Sequence, residues 1–342
     1  MSDGKVESTF PDIASAAGAK GGLPMQSSVR AAEPAAASAP GALGSRAAIE
    51  AYLMLVFTMV AWGANSVAAR LAVGQLSPMV LVCLRWAIVA GVLGVALRRE
   101  LSAAWPELRR RWLQVVLMAV AGYSGFNALY YAAAHHTTGV NLSILQGSVP
   151  VLVVIGAFLL HRVRVGPVQV AGIAVTLFGV AVVATQGHIA TLGAFRLNAG
   201  DGLMLVACVL YAGYTLGLRN RPNLPGLVFF AAMAIAAFVC SLPLLGYEVW
   251  SGTVQWPTAK GWLVLAFIVV FPSFLSQLTF MRGVQLIGPG RAGLFINLVP
   301  LTGAFLAVVL LGEPLAPFHL VALMLIFGGI LVAELSGRRR AE

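Results

Sequence analysis

Along the chain, apolar residues gather into ten blocks, at 51–70, 78–97, 112–134, 139–160, 166–185, 201–219, 226–247, 261–282, 289–311 and 317–335, with polar and charged residues crowded into the gaps. Each block is close to the roughly 20 residues an α-helix needs to cross the hydrocarbon core of a bilayer. A backbone in lipid must satisfy its own hydrogen bonds, and a helix does so within one segment. The pattern therefore predicts an all-α integral membrane protein with ten transmembrane helices. Residues 1–46 are different in kind. They are rich in Ala, Gly, Ser and Pro and hold no apolar run long enough for a signal-peptide core, which predicts a disordered, retained tail.

The pattern also repeats. Shifting residues 112–184 by 150 positions, without a gap, pairs Trp112 with Trp262, Val120 with Val270, Val149-Pro150 with Val299-Pro300, Ala157 with Ala307 and Gly179 with Gly329. Upstream the offset is 149 and the match is chemical, Trp62, Asn65, Ser66 and Arg70 meeting Tyr211, Tyr214, Thr215 and Arg219. Five helices per half is an odd number, so the second copy enters the membrane from the opposite side. Such two inverted five-helix repeats place a substrate site near the midplane between the halves of a transporter.

The matched prolines locate that site. A proline cannot donate to the carbonyl four residues earlier and clashes with it, so Pro150 loosens the carbonyl of Gln146 and Pro300 that of Ile296. A freed carbonyl in hydrocarbon needs protein, water or ligand to satisfy it. Both kinks are expected to face the bundle interior or a wet cavity and to serve as gates; simple packing is the plainer reading of either proline taken alone.

Composition agrees with the membrane reading: 59% of the 342 residues are hydrophobic, only 10% are charged against about 25% in soluble domains, and mean hydropathy is +0.89. A net charge of +10 could suggest nucleic acid, but Lys and Arg are dispersed between apolar blocks rather than gathered on one face, so no nucleic-acid partner is expected. They report sidedness instead. With the N-terminus inside, eighteen of the 22 fall in inside segments and three outside (Arg70, Arg196 and Lys260), with Arg85 within the second block. This bias places both termini in the cytoplasm of a cell with the protein in its inner (plasma) membrane. The expected organisation is a cytoplasmic tail (1–48), a five-helix module (49–186), an external connector (187–199), a second module (200–336) and a basic cytoplasmic tail (337–342). Cys83, Cys208 and Cys240 fall in apolar runs without CxxC spacing and read as core thiols.

The residues that could carry chemistry are mostly neutral. Trp62, Asn65 and Ser66 share one helix face at i, i+3, i+4, and Tyr211, Tyr214 and Thr215 repeat it in the second half. Asn127 and Gln277 correspond at the 150 shift, and Gln146 and Asn297 sit beside the prolines. Each alone could be interhelical glue; as a set they predict a solvated central pathway. Arg85 is the one full charge well inside a block, a candidate for substrate contact whose alternative is to snorkel or to bond a neighbouring helix. His135, His136, His161, His188 and His319 fall at block ends or in gaps and read as interfacial. No nucleophile–base pair, metal-ligand spacing or phosphate-binding glycine loop is present, so neither an enzyme nor a resident metal or cofactor is expected.

These halves resemble the EamA-type modules of the drug/metabolite transporter superfamily. The resemblance rests on Ala61-Trp62-Gly63-Ala64-Asn65 with Val67-Ala68-Ala69-Arg70, on Pro78 leading into Leu84-Arg85-Trp86, on Val299-Pro300, and on Leu311-Gly312-Glu313-Pro314-Leu315 before Gly328-Gly329, and it covers roughly residues 50–335. It implies ten helices in two inverted modules, termini inside, and movement of small metabolites, often export of amino acids or related compounds. The first module departs from the pattern where Leu160-His161-Arg162-Val163-Arg164 replaces an expected acidic residue.

The leading expectation is thus a carrier, taken as a monomer in the bilayer, for small neutral or zwitterionic metabolites, amino-acid-like or aromatic. The alternative is a non-transporting integral membrane protein such as a membrane enzyme or regulatory subunit. Phosphorylated sugars would need several midplane cations, and organic cations a buried carboxylate. By the same block boundaries all twelve acids lie in tails, gaps or end turns of helices, so no midplane acid is available for proton coupling, and facilitated diffusion or exchange is expected.

Overall fold

The structure, a computed structural model, describes residues 45–162, 165–188 and 198–338. The expected tail before residue 45, most of the 187–199 connector and the last four residues lie outside them. All regular structure among the described residues is helical. Nine helices there are long and apolar enough to cross a membrane: Arg46–Ala72, Pro78–Ala96, Trp112–Ala133, Gly139–Leu160, Pro167–Ala184, Ala199–Asn220, Gly226–Trp250, Ala259–Ile287 and Arg291–Leu311. The tenth expected block corresponds to a shorter apolar stretch, Pro317–Ala333, in a helix that continues to Arg338. We number these spans and the last segment one to ten in chain order.

The connector between spans two and three is more than a charged loop. It forms a helix, Arg98–Arg110, whose Ala104 and Leu108 are buried while its charges face out, and Glu107 pairs with Arg110 and Arg111. The spacing of Leu101, Ala104 and Leu108 puts them on one helix face, a short amphipathic stripe too brief to register as an apolar block.

Packing follows the repeat. Span one lies against spans eight and nine, span six correspondingly against spans three and four, span two against span seven, and span five against segment ten. Between the last two the backbones nearly touch: a Cβ added at Gly172 would lie 2.6 Å from the carbonyl oxygen of Gly329. In lipid, where water does not drive helices together, such close approach of small residues supplies the association through van der Waals contact.

Helix starts are capped with care. Thr138, Asn198 and Thr258 each accept a bond from a backbone N–H in the first turn of spans four, six and eight. Spans two and four also receive a carboxylate from the second half. Glu248 accepts from the Ser77 hydroxyl and from the N–H groups of Met79 and Val80, and Glu313 accepts from Gly139 N and Val140 N at 2.9 Å while pairing with Arg70 at 3.5 Å. A negative charge there meets both orphan donors and the positive end of the helix dipole.

Two ionisable residues at helix starts are covered by neighbouring helices. Asp201, in the first turn of span six, is fully buried and accepts from Thr137 and Asn141. His319, in the first turn of segment ten, is buried too, its Nε2 3.0 Å from the Asn141 side-chain oxygen. Hydropathy blocks set where a helix enters lipid but not which of its faces a neighbour covers.

Candidate functional site

The centre of each half is built on two interruptions of regular α-helix, and both recur within one residue of the same register. In span three, Val120–Ser124 forms a π-helical turn, and in span eight Val269–Leu275 does the same. One hydroxyl at each turn bonds the carbonyl five residues back: Ser124 to Ala119 and Ser273 to Ile268. Such an insertion widens the helix and re-aims the side chains beside it.

The second interruption corrects the expected proline kinks. Span four is split into Gly139–Gln146 and Val149–His161 by a two-residue turn at Gly147-Ser148, and span nine into Pro289–Phe295 and Leu298–Leu311 by Ile296-Asn297. The prolines occupy the first turn of the second half-helix, where a missing N–H costs least. The carbonyl of Ile296 is not left free, since it accepts from Val299 N at 3.1 Å.

Between the halves these features enclose a cavity with about 960 Å³ of space free of protein atoms, its mouth included. Trp62, Asn65, Arg85, Asn127, Gln146, Pro150, Tyr211, Gln277, Asn297 and Pro300 all line it. Ser66 and Tyr214 do not. The Ser66 hydroxyl turns back to the Gly63 carbonyl of its own helix, and Tyr214 packs its ring over Gly122 and Tyr123. Thr215 likewise bonds its own helix at Tyr211 O.

Beyond the expected site residues, Trp86, Tyr123, Phe126, Phe230, Pro272 and Ser273 are also among the lining residues. The Trp86 ring stacks on Tyr123 with centroids 4.6 Å apart and planes 8° from parallel, and Phe126 meets Tyr211 at 5.0 Å. Their signal was present, since Tyr123 and Phe126 share a face with Asn127, but aromatic residues at helical spacing are equally suited to lipid. Trp62 Nε1 donates to the Pro272 carbonyl at 3.2 Å, tying span one to the second π turn.

One charge is set in this wall. Arg85, only 6% exposed, donates through Nη1 to the Asn127 side-chain oxygen at 3.0 Å and to the Tyr131 hydroxyl, which in turn donates to Asn65 at 3.0 Å. Its guanidinium lies 5.1 Å from the centre of the Trp86 ring. The ion pairs of the described residues join Arg70 to Glu313, Arg110 and Arg111 to Glu107, and Arg282 to Glu50. None reaches Arg85, and no Asp, Glu, Lys or His is among the lining residues. Electrostatically the site is a fixed positive charge in an aromatic chamber with neutral amides opposite.

Comparison with known proteins agrees with this architecture. Two copies of the EamA-like transporter family match, at residues 49–185 and 198–335. The "Uncharacterized transporter YyaM" of Bacillus subtilis is 26% identical over 83% of this chain and 93% of its own length. A "Probable terminal-alkyne amino-acid exporter" of Streptantibioticus cattleyicolor is 25% identical over 84% of this chain and 94% of its own. The "Aromatic amino acid exporter YddG" of Ancylobacter novellus is 24% identical over 84% of this chain and 98% of its own. A solved crystal structure has the same fold at a TM-score of 0.58, covering 85% of this chain and 99% of that one at 22% identity. A multi-pass helical membrane protein whose two halves each match the same module, this chain belongs to the EamA-like transporter family.

Proposed function

We propose that the protein carries small neutral or zwitterionic metabolites with an amino-acid-like or aromatic body, exporting them across the inner membrane by facilitated diffusion or exchange. The observation that carries this reading is the cavity: aromatic, free of acids, and bounded by both π turns and both broken spans. Discontinuous helices meeting at a central site are what alternating access rocks about. Two relatives named as exporters of amino acids support the substrate class. Segment ten crosses like the others in this reading, so the halves are inverted, and the arginine bias places both termini in the cytoplasm. Uptake and counterflow in liposomes holding only this protein, against a panel of labelled amino acids, aromatic acids, sugars and nucleosides, is the test. Flux down the gradient of aromatic or amino-acid-like solutes, unaffected by a protonophore, is expected. Flux confined to sugars or nucleosides, no flux at all, or uphill accumulation that a protonophore abolishes would each overturn it.

A further inference from the structure

Two hydrogen-bond donors in the cavity wall have no partner. Arg85 spends Nη1 on Asn127 and Tyr131, but its Nε is buried and unbonded. The indole N–H of the adjacent Trp86, a residue 3% exposed whose ring is held flat against Tyr123, is also buried and unbonded. Both residues line the cavity. A buried donor left unpaired is costly, and a buried cation without a counter-charge more so. Borne by neighbouring residues that both line the cavity, these are the needs that a carboxylate, with several lone pairs and one negative charge, meets at once.

The opposite end of an amino acid finds no such welcome. No carboxylate lines the chamber to receive an ammonium group. Of the lining amides, Asn65 and Asn127 already use their oxygens on Tyr131 and Arg85. The amides of Gln146, Gln277 and Asn297 can offer either oxygen or NH₂, and so suit a hydroxyl or keto oxygen as well as an amine.

We infer that Arg85 Nε and Trp86 Nε1 together bind the carboxylate of the cargo, and that the site reads this group and the apolar body but not the α-amino group. Aromatic monocarboxylates lacking the amine are therefore cargo alongside the amino acids. This rests on the cavity being the substrate site and extends the proposed class to monocarboxylate anions. A monocarboxylate docked here brings the cavity's net charge from +1 to zero, whereas a zwitterionic amino acid leaves it at +1 with its carboxylate paired to Arg85.

The test uses the full chain in liposomes, with L-phenylalanine, 3-phenylpropionate, 2-phenylethylamine and L-phenylalaninol as competitors of labelled phenylalanine counterflow. Phenylpropionate is expected to compete within about threefold of phenylalanine, and the two probes without a carboxylate at least about tenfold more weakly. Trp86→Phe keeps a ring against Tyr123 and removes only the N–H. It is expected to narrow the gap between phenylpropionate and phenylethylamine by about threefold or more, a selectivity change that lost packing alone would not produce. Arg85→Gln is expected to abolish the gap, and if it fails to fold, Trp86→Phe decides. Equal or better competition by phenylethylamine, or an unchanged gap in Trp86→Phe, overturns the inference while leaving a working carrier. Absence of phenylalanine flux with flux of sugars or nucleosides overturns both it and the proposed function.

Discussion

The two halves of this protein share a backbone and differ in what they hang on it. Both carry a π turn at the same register and both break the span that follows, yet the first half supplies the charge, Arg85, with the rings of Trp62, Trp86, Tyr123 and Phe126, while the second answers with the rings of Tyr211, Phe230 and Phe327 and with Pro272, Ser273, Gln277 and Asn297. The capping is equally lopsided. Glu248 and Glu313 of the second half cap helix starts in the first, whereas a shift of 150 from Glu248 falls on the exposed Arg98. Duplication has preserved the helix interruptions, and the halves differ in the side chains set around them.

Three pairs of substitutions sharpen or break this comparison, each read by unfolding of purified protein in detergent. The largest contrast is expected at the π turns. A Cβ on Gly122 would enter the space of the Tyr214 ring, so Gly122→Ala is expected to cost about 2–3 kcal/mol. At the position 150 further on, Pro272→Ala is expected to stay within about 1 kcal/mol, since a side chain is already accommodated there. Equal costs would mean that the two turns are packed alike.

Next come the caps. Glu248→Ala strips the Ser77 hydroxyl and two backbone N–H groups of their acceptor and is expected to cost about 2 kcal/mol, against less than about 0.5 kcal/mol for Arg98→Ala. A large loss at Arg98 would instead reveal a first-half contact of equal weight.

The smallest contrast lies where spans four and nine end. Both close with a residue in the left-handed region, Arg162 at φ 51° and Gly312 at φ 66°. Only glycine adopts this without a Cβ penalty, so Gly312→Ala is expected to cost about 1 kcal/mol and Arg162→Gly to gain up to about 1 kcal/mol. A loss on Arg162→Gly would show that the arginine side chain is held there by contacts worth more than the strain.

Much of this organisation was legible in the sequence because it rests on long-range regularities. Ten apolar blocks and a constant shift of 150 survive without any knowledge of packing, and the shift alone linked Asn127 to Gln277. The residues that escaped did so for local reasons. A π turn is one extra residue with no composition of its own, and only the serines bonding five residues back betray it. Helical spacing put Ser66 on the same stripe as Trp62, but Gly63 admits Thr302 and Gly303 of span nine so closely that this edge of the stripe is sealed. Phe230 was indistinguishable from the many aromatic residues that face lipid, and the Leu84-Arg85-Trp86 motif did not say that Trp86 lines the cavity, because rotation about a helix axis is set by neighbours.

The paired π turns also record an order of events. Inserting a residue into a helix shifts every later side chain by about 100°, so a second insertion at the matching turn, arising independently, would have had to survive the same disruption. One insertion copied by duplication is the simpler history. The widened turn is then older than the two-module chain, and the arginine, tryptophan and capping glutamates that now distinguish the halves mark where the copies diverged after it.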